Sequence, residues 1–358
     1  MLTPRATFAD PPEPAAAATD PSDPGHPMTD TAEPGEGALA FFEDMHPHAA
    51  DFRADVLAGL SRPQKLLHAK YFYDKTGSEI FDRITEAPEY YVMRTELALL
   101  DRIGPELRGI AGPGAVVLEP GAGSSLKIRK LLDALDRPAA YVGMDISGEH
   151  VREACADIAR DYPELPVGAV CHDFTRPLDP GALPIPDGRR VVFFPGSTIG
   201  NFELIDALAL LKTLRGWLRP GDGILIGADL RKSRETLEAA YDDAGRATAD
   251  FNYNLVDRIN AELDGDIDKS ALTYRAFWNP YRSRVEMYLQ ATKDFDFTVA
   301  GKRFTIREHE TIHTENSHKF TVSTFQDLAV AAGLKPAHVW VHEDVPFSIH
   351  WLEYAVEA

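Results

Sequence analysis

The chain has 358 residues, 44% of them hydrophobic and 26% charged, which is ordinary for a globular protein and allows about two domains' worth of core. A formal net charge of -19 argues against a surface that tracks nucleic-acid phosphates or an anionic membrane, so neither is expected as a partner. No apolar run reaches the ~18 residues of a membrane span and no signal-peptide pattern opens the chain, so a cytoplasmic location is expected.

Residues 1 to about 38 are rich in Ala, Pro, Asp and Gly, with almost no large apolar side chains, and are expected to form a disordered leader. Met28 offers an alternative start. Apolar positions from Leu39 to Leu60 suggest helix over residues 38–67. The tyrosines of Lys70-Tyr71-Phe72-Tyr73-Asp74 and Pro88-Glu89-Tyr90-Tyr91 read first as packing residues and second as the lining of a polar pocket. From residue 95 strands and helices alternate. Strands are expected at Ala115–Leu118, Ala140–Ile146, Val167–Cys171, Arg190–Phe194 and Ile224–Ile226, with helices at Leu126–Leu135, Gly148–Arg160 and Leu204–Leu218. Cys155 and Cys171 fall within this run without CxxC spacing and read as buried reduced thiols. The pattern predicts an α/β fold, a Rossmann-like doubly wound parallel sheet that takes its ligand at the carboxyl ends of the strands.

The alternation breaks after residue 230. A helical stretch, Glu235–Glu262, precedes strand-like segments such as Arg284–Leu289. Then helix Phe325–Ala332 and strands Val339–His342 and Phe347–Tyr354 close the sheet as an antiparallel hairpin. The expected division is an α+β substrate-binding domain from residues 39–94 and 231–319, and a nucleoside-binding domain from 95–230 and 320–358.

The first strand runs into Glu119-Pro120-Gly121-Ala122-Gly123, a turn whose glycines let backbone approach a ligand closely. Leu126 stands where a dinucleotide fingerprint has its third glycine, which disfavours a pyrophosphate ligand. Asp145 ends the second strand, where a carboxylate suits a ribose diol. His172-Asp173-Phe174 follows the third strand and suits an adenine, with an acid for the amino group and a ring for the face. Three such features at three consecutive strand ends point to a nucleoside-containing cofactor.

Phe194-Pro195-Gly196-Ser197-Thr198-Ile199-Gly200-Asn201-Phe202 follows the fourth strand. Together with the two tyrosine runs, Ala240-Tyr241-Asp242-Asp243 and Glu315-Asn316-Ser317-His318-Lys319-Phe320, it resembles the histidine Nα-methyltransferases of ergothioneine biosynthesis over residues 50–358. The resemblance implies a class I methyltransferase domain with S-adenosyl-L-methionine as co-substrate, no metal, and L-histidine as a small-molecule substrate trimethylated to hercynine by a monomeric enzyme. At matching positions it implies that Gly121 and Lys127 meet the cofactor's methionine end, Asp145 its ribose, and Asp173 and Phe174 its adenine, with Gly196 alongside. It further implies that Tyr90, Asn201 and Tyr241 hold the amine and carboxylate, that Tyr73 with Asn201 and Tyr241 serves the catalytic step, and that Glu315 and Ser317 hold the imidazole beside Met287. Asn316 and Pro120 depart from the family pattern, and Asn316 is expected to face away from the pocket.

Other readings explain less. His309-Glu310-Thr311-Ile312-His313 fits the metalloprotease pattern H-E-x-x-H, but its β-branched residues read as strand, whereas that motif needs a helix. Asn279-Pro280-Tyr281 resembles a macromolecular amino-methylating motif short of one proline, and reads as a turn. A non-enzymatic S-adenosylmethionine-binding protein remains open on fold alone. So does a relative acting on another aromatic amino acid, because Glu315 could also accept from an indole N–H.

Overall fold

The computed structural model describes residues 38–45, 52–123 and 125–354. The expected leader lies outside them, apart from Ala38. In chain order the elements are β1 (Phe41–Asp44), α1 (Phe52–Leu60), β2 (Lys65–Leu66), α2 (Lys75–Glu86), α3 (Val92–Ala111), β3 (Val116–Pro120), α4 (Ser125–Ala134), β4 (Ala140–Asp145), α5 (Gly148–Asp161) and β5 (Val167–Cys171). There follow β6 (Arg190–Phe194), α6 (Leu204–Gly216), β7 (Gly223–Asp229), α7 (Arg234–Tyr241), α8 (Ala247–Glu262), β8 (Leu272–Asn279) and β9 (Arg284–Ala291). The last are β10 (Phe295–Val299), β11 (Lys302–Ile306), β12 (Thr311–His318), α9 (Val322–Ala331), β13 (Leu334–Val341) and β14 (Phe347–Tyr354).

The large sheet has the order β1-β5-β4-β3-β6-β7-β14-β13. Its strands are parallel from β1 to β7, and β14 and β13 add an antiparallel edge. Strands β3, β5, β6 and β7 are buried along their whole length, as expected of a sheet covered on both faces. The chain order reverses at β3, which has β4 on one side and β6 on the other, so the crevice for a ligand opens at the carboxyl ends of these strands. A smaller sheet, β2-β12-β9-β8, stands beside it, with the hairpin β10-β11 apart. The two sheets join where β7 ends, because Phe320 N donates to Asp229 O (2.9 Å) and Arg231 N to Phe320 O (2.9 Å). Among the described residues no helix is long and apolar enough to cross a membrane.

Three expectations change. The stretch 38–67 is not one helix, since Phe41–Asp44 forms an edge strand on β5, bonded from Ala40 N to Val167 O and from Met45 N to Cys171 O. The Phe41 ring covers Gly168, where an added Cβ would sit 2.2 Å from the ring, so tertiary packing overrides the helical spacing. The helix expected over Glu235–Glu262 breaks after Tyr241. Asp243 there accepts from the backbone N–H of Ala247 and Thr248 (both 2.8 Å) and caps α8 as a new start. The final hairpin is also longer than expected, because β13 takes Pro336 into an edge strand at a register shift.

Candidate active site

The residues expected on the cofactor side shape a cradle partly by their backbone. Gly121 has φ +75°, a conformation that side-chain-bearing residues resist, and an added Cβ would meet Cε1 of Phe174 at 3.6 Å. Gly196 has φ +84°, and a Cβ there would lie 3.3 Å from Lys127 Nζ. Lys127 is buried against Glu96 (2.6 Å), which also accepts from Gly196 N (2.8 Å). Thus Gly121 and Phe174 flank one part of a narrow cradle, and Gly196, Lys127 and Glu96 flank another. Asp145 ends β4, the strand between those that lead to Phe174 and to Gly121, its Oδ1 accepting from Ser147 N (2.8 Å), and burial raises its carboxyl from the ordinary value. Asp173 closes a turn through Thr175 N (3.0 Å) and Thr175 Oγ1 (2.6 Å), and Phe174 meets Phe194 edge-on at 5.8 Å. Glu119 is buried and accepts from Tyr141 Oη (2.7 Å), and burial pushes its carboxyl up to about 8.

The turn after β6 links this cradle to the smaller sheet. Gly196 and Ser197 both take positive φ, and Ser197 Oγ accepts from Asp229 N (2.9 Å). Gly200 lies so close to β12 that a Cβ would sit 2.8 Å from His318 O. That approach delivers Asn201, whose Nδ2 donates to Glu315 Oε1 (3.0 Å). On the same face of β12, Ser317 Oγ is 2.8 Å from Tyr241 Oη. Met287 stands opposite Glu315 in the β9–β12 register and is fully buried. The Tyr90 ring meets Tyr241 edge-on at 6.2 Å. Tyr73 packs edge-on against Phe81 and Phe251 but keeps 46% of its surface open. Its phenol is raised above the ordinary value, by desolvation first and then by Glu315, Tyr90, Tyr241 and Asp145. Asn201, Glu315, Tyr241, Ser317, Tyr90 and Met287, named together in the sequence, are thus neighbours around β12.

Residues 52–354 match the family of histidine-specific, S-adenosylmethionine-dependent methyltransferases. The chain belongs to that family. It is 39% identical over 297 residues to a histidine N-alpha-methyltransferase of Mycolicibacterium smegmatis, covering 82% of this chain and 91% of the relative. A histidine N-alpha-methyltransferase of Mycobacterium tuberculosis is 38% identical over 303 residues, covering 83% and 93%. An L-tryptophan methyltransferase of Psilocybe serbica is 27% identical over 334 residues, covering 85% and 92%. The fold is that of a class I methyltransferase, with S-adenosylmethionine as co-substrate.

This methyltransferase holds four polar groups at the site that sequence reasoning passed over. Lys319 is fully buried, its Nζ 2.7 Å from Asp229 Oδ2, 2.7 Å from Tyr241 Oη and 2.9 Å from Ser317 Oγ. Asp229 is fully buried too, accepts from Tyr91 Oη (2.7 Å) and pairs also with Lys232. Burial alone would raise the Asp229 carboxyl, but the two lysines hold it below the usual carboxylate range, while burial draws Lys232 down to about 8. Residues 315, 317 and 319 fall on one face at strand spacing, so the alternation pointed to Lys319 once Glu315 and Ser317 were chosen. Asp229, like Asp145, is an acid closing a parallel strand. Glu96 and Tyr91, in and before α3, carried no local signal.

Asn316 faces away from the pocket as expected. Its side chain bonds Glu203 (3.0 Å) and His313 (2.9 Å), and a bulge between His313 and Glu315 puts residues 313 and 316 on that outer side. His309 lies in a turn with φ +71° and His313 in β12, so the H-E-x-x-H run has no helix to stand on. Among the described residues no group of His, Cys, Asp and Glu could hold a metal ion. Asn279-Pro280-Tyr281 is the β8–β9 turn, closed by Asn279 Oδ1 accepting from Tyr281 N and Arg282 N (both 3.1 Å).

Proposed function

We propose that this methyltransferase converts L-histidine to Nα,Nα,Nα-trimethylhistidine (hercynine), the amino-acid step of ergothioneine biosynthesis. The observation that carries the reading is the joined pair of contacts on one face of β12, Asn201 to Glu315 and Tyr241 to Ser317. On this reading each contact joins a group for the amine end to a group for the ring. The curated relatives of Mycolicibacterium and Mycobacterium support it by name.

The cradle fits S-adenosylmethionine. Gly121 and Gly196 leave the space that a Cβ would occupy, Lys127 offers a cation for the methionine carboxylate, Asp145 an acceptor pair for ribose hydroxyls, and Asp173 and Phe174 an edge and a face for adenine. Bound there, the sulfonium supplies a methyl carbon that is already strongly electrophilic. This chain's contribution is alignment, since a well-positioned amine needs no nucleophilic side chain. The amine must arrive neutral. Tyr73, Tyr90 and Tyr241 have phenols pushed up by burial and by neighbouring carboxylates, so they stay uncharged and orient a lone pair without stabilising an ammonium as a carboxylate would. In its ionised form Glu315 accepts the imidazole N–H, and Ser317 meets the other ring nitrogen.

We take the enzyme to act as a monomer, since the proposed site is complete without a second copy. We assign amino-acid binding to residues 39–94 and 231–319, apart from the edge strand Phe41–Asp44, and cofactor binding to 95–230 and 320–358. A second reading, methylation of another aromatic amino acid, draws on the Psilocybe relative and on Glu315 as an acceptor for an indole N–H. Mass-spectrometric turnover of the twenty amino acids with S-adenosylmethionine decides between them. Trimethylated histidine, lost in Glu315→Ala and Asn201→Ala, is the expected outcome. Turnover of tryptophan in preference to histidine would overturn the proposal and leave the second reading.

A further inference from the structure

We infer that Lys319, which touches neither substrate nor cofactor in the proposed arrangement, is a positioning residue that sets the hydrogen-bond polarity of the ring pocket: it makes Ser317 a donor to the substrate. The inference rests on the histidine reading given above and specifies how the ring is chosen.

An ammonium has three N–H donors and no acceptor. Lys319 has three acceptors around its Nζ: Asp229 Oδ2 at 2.7 Å, Tyr241 Oη at 2.7 Å and Ser317 Oγ at 2.9 Å. All three protons are therefore committed, and each hydroxyl receives one. The two hydroxyls also bond to one another at 2.8 Å, which uses one of their two O–H groups. One O–H is left over, and the pair can offer it outward only as a donor. A phenol is a far stronger acid than an alcohol and hence the better donor, whereas the alcohol is the better acceptor, so Tyr241 donates to Ser317. Ser317 then carries the free O–H. It lies on the strand face of Glu315, two residues away, where the ring is held.

A pocket with one fixed donor and one carboxylate acceptor matches a ring with one bare nitrogen and one N–H, which is a neutral imidazole. An imidazolium has no bare nitrogen, and an indole has an N–H but no ring acceptor, so each leaves the Ser317 hydroxyl unpaired in a desolvated site. Asp229 anchors the arrangement from the last parallel strand of the large sheet. It keeps Lys232 and Tyr91 as partners when Lys319 is removed, so a Lys319→Met variant leaves no orphaned carboxylate.

The test is calorimetric binding of L-histidine and of β-(2-thienyl)alanine to protein saturated with S-adenosylhomocysteine. The two ligands share amine and carboxylate ends and differ in ring polarity. In Lys319→Met, histidine affinity is expected to fall on the order of tenfold, the size of one lost hydrogen bond, while thienylalanine changes far less. Ser317→Ala should give the same ring-selective loss, with little further loss in the double variant. Equal losses for both ligands would reduce Lys319 to a structural role and overturn the inference. Ring-nitrogen NMR of labelled histidine on the wild-type enzyme needs no variant. One protonated and one bare nitrogen is expected, and a doubly protonated ring would contradict it. If wild-type enzyme neither binds nor methylates histidine, the substrate reading falls and takes the inference with it. Histidine turnover with equal losses sinks the inference alone.

Discussion

The two halves of the proposed site are built on different plans. The half proposed for the cofactor comes from four short turns at neighbouring strand ends, and part of its shape is backbone, with positive φ at Gly121 and Gly196 beside the carboxylate that closes β4. The amino-acid half comes from side chains brought together over nearly the whole fold, from Tyr73 to Lys319, and it is tied down by buried charge. Backbone recognition tolerates change in the surrounding side chains. A pocket held by a buried ion cluster depends most on Asp229, the one acid shared by both lysines, because a desolvated charge must have a partner.

The sharpest way to break the comparison is to remove one strand-end acid from each half. Asp229→Ala leaves Lys319 and Lys232 facing each other without a counter-charge, and the expected cost is about 3–5 kcal/mol, read as a large fall in the denaturation midpoint. Asp145→Ala removes a carboxylate that burial already disfavours. Its stability should stay near wild type while S-adenosylhomocysteine binding, followed by calorimetry, is lost. Equal destabilisation of both variants would erase the distinction.

Next in size is Gly121→Ala. Forcing a Cβ into φ +75° costs about 1–2 kcal/mol, and the cofactor half should register it as weaker S-adenosylhomocysteine binding with histidine contacts unaffected.

Legibility in the sequence divides along the same line. Gly121, Asp145 and Asp173–Phe174 announce themselves because a parallel sheet puts each at a strand end, so local pattern and function coincide. Tyr73, Tyr90, Asn201, Tyr241 and Glu315 would form a pocket through the folded approach of Gly200 to β12 and the break between α7 and α8; the tyrosine runs offered a polar lining as a second reading, and family resemblance alone marked Asn201, Tyr241 and Glu315 in advance. Asp243 shows why the break is hard to see, since helical spacing runs through it and a capping carboxylate decides the matter. Phe41–Asp44 was misread for the same kind of reason, its conformation being set by β5 rather than by its own residues. Lys319 stood in plain view at the alternating position after Ser317, but a lysine there reads as solvated until its burial is known.

A subtler contrast concerns pH. Burial pushes Glu315 up to about 8 from an unfolded value near 4.5, so it keeps its proton in the native state across a range where the unfolded chain has lost it. The contribution of Glu315 to stability therefore falls as pH rises from about 4.5 to about 8 and then levels, the opposite of an ion-paired carboxylate such as Asp229. Glu315→Gln should melt higher than wild type above pH 8, with the advantage vanishing toward pH 4.5, while histidine turnover collapses. Its residual histidine binding should rise less steeply with pH than that of wild type, because the acceptor that ionises near 8 is gone. Thermal melts and calorimetry at matched pH check both statements.

The smallest effect belongs to Tyr91→Phe. It removes one of the bonds to Asp229 and leaves both lysines, so about 1 kcal/mol of stability is expected to go, with little change in turnover.

The site of methylation on the product tests the central arrangement most directly. NMR of the product formed from histidine and S-adenosylmethionine should show every transferred methyl on the α-nitrogen and an unmodified imidazole, as required if the ring lies between Glu315 and Ser317 and the amine points to the cradle. Methyl groups on a ring nitrogen would mean that histidine enters the other way round, and the roles assigned to the two halves would fail.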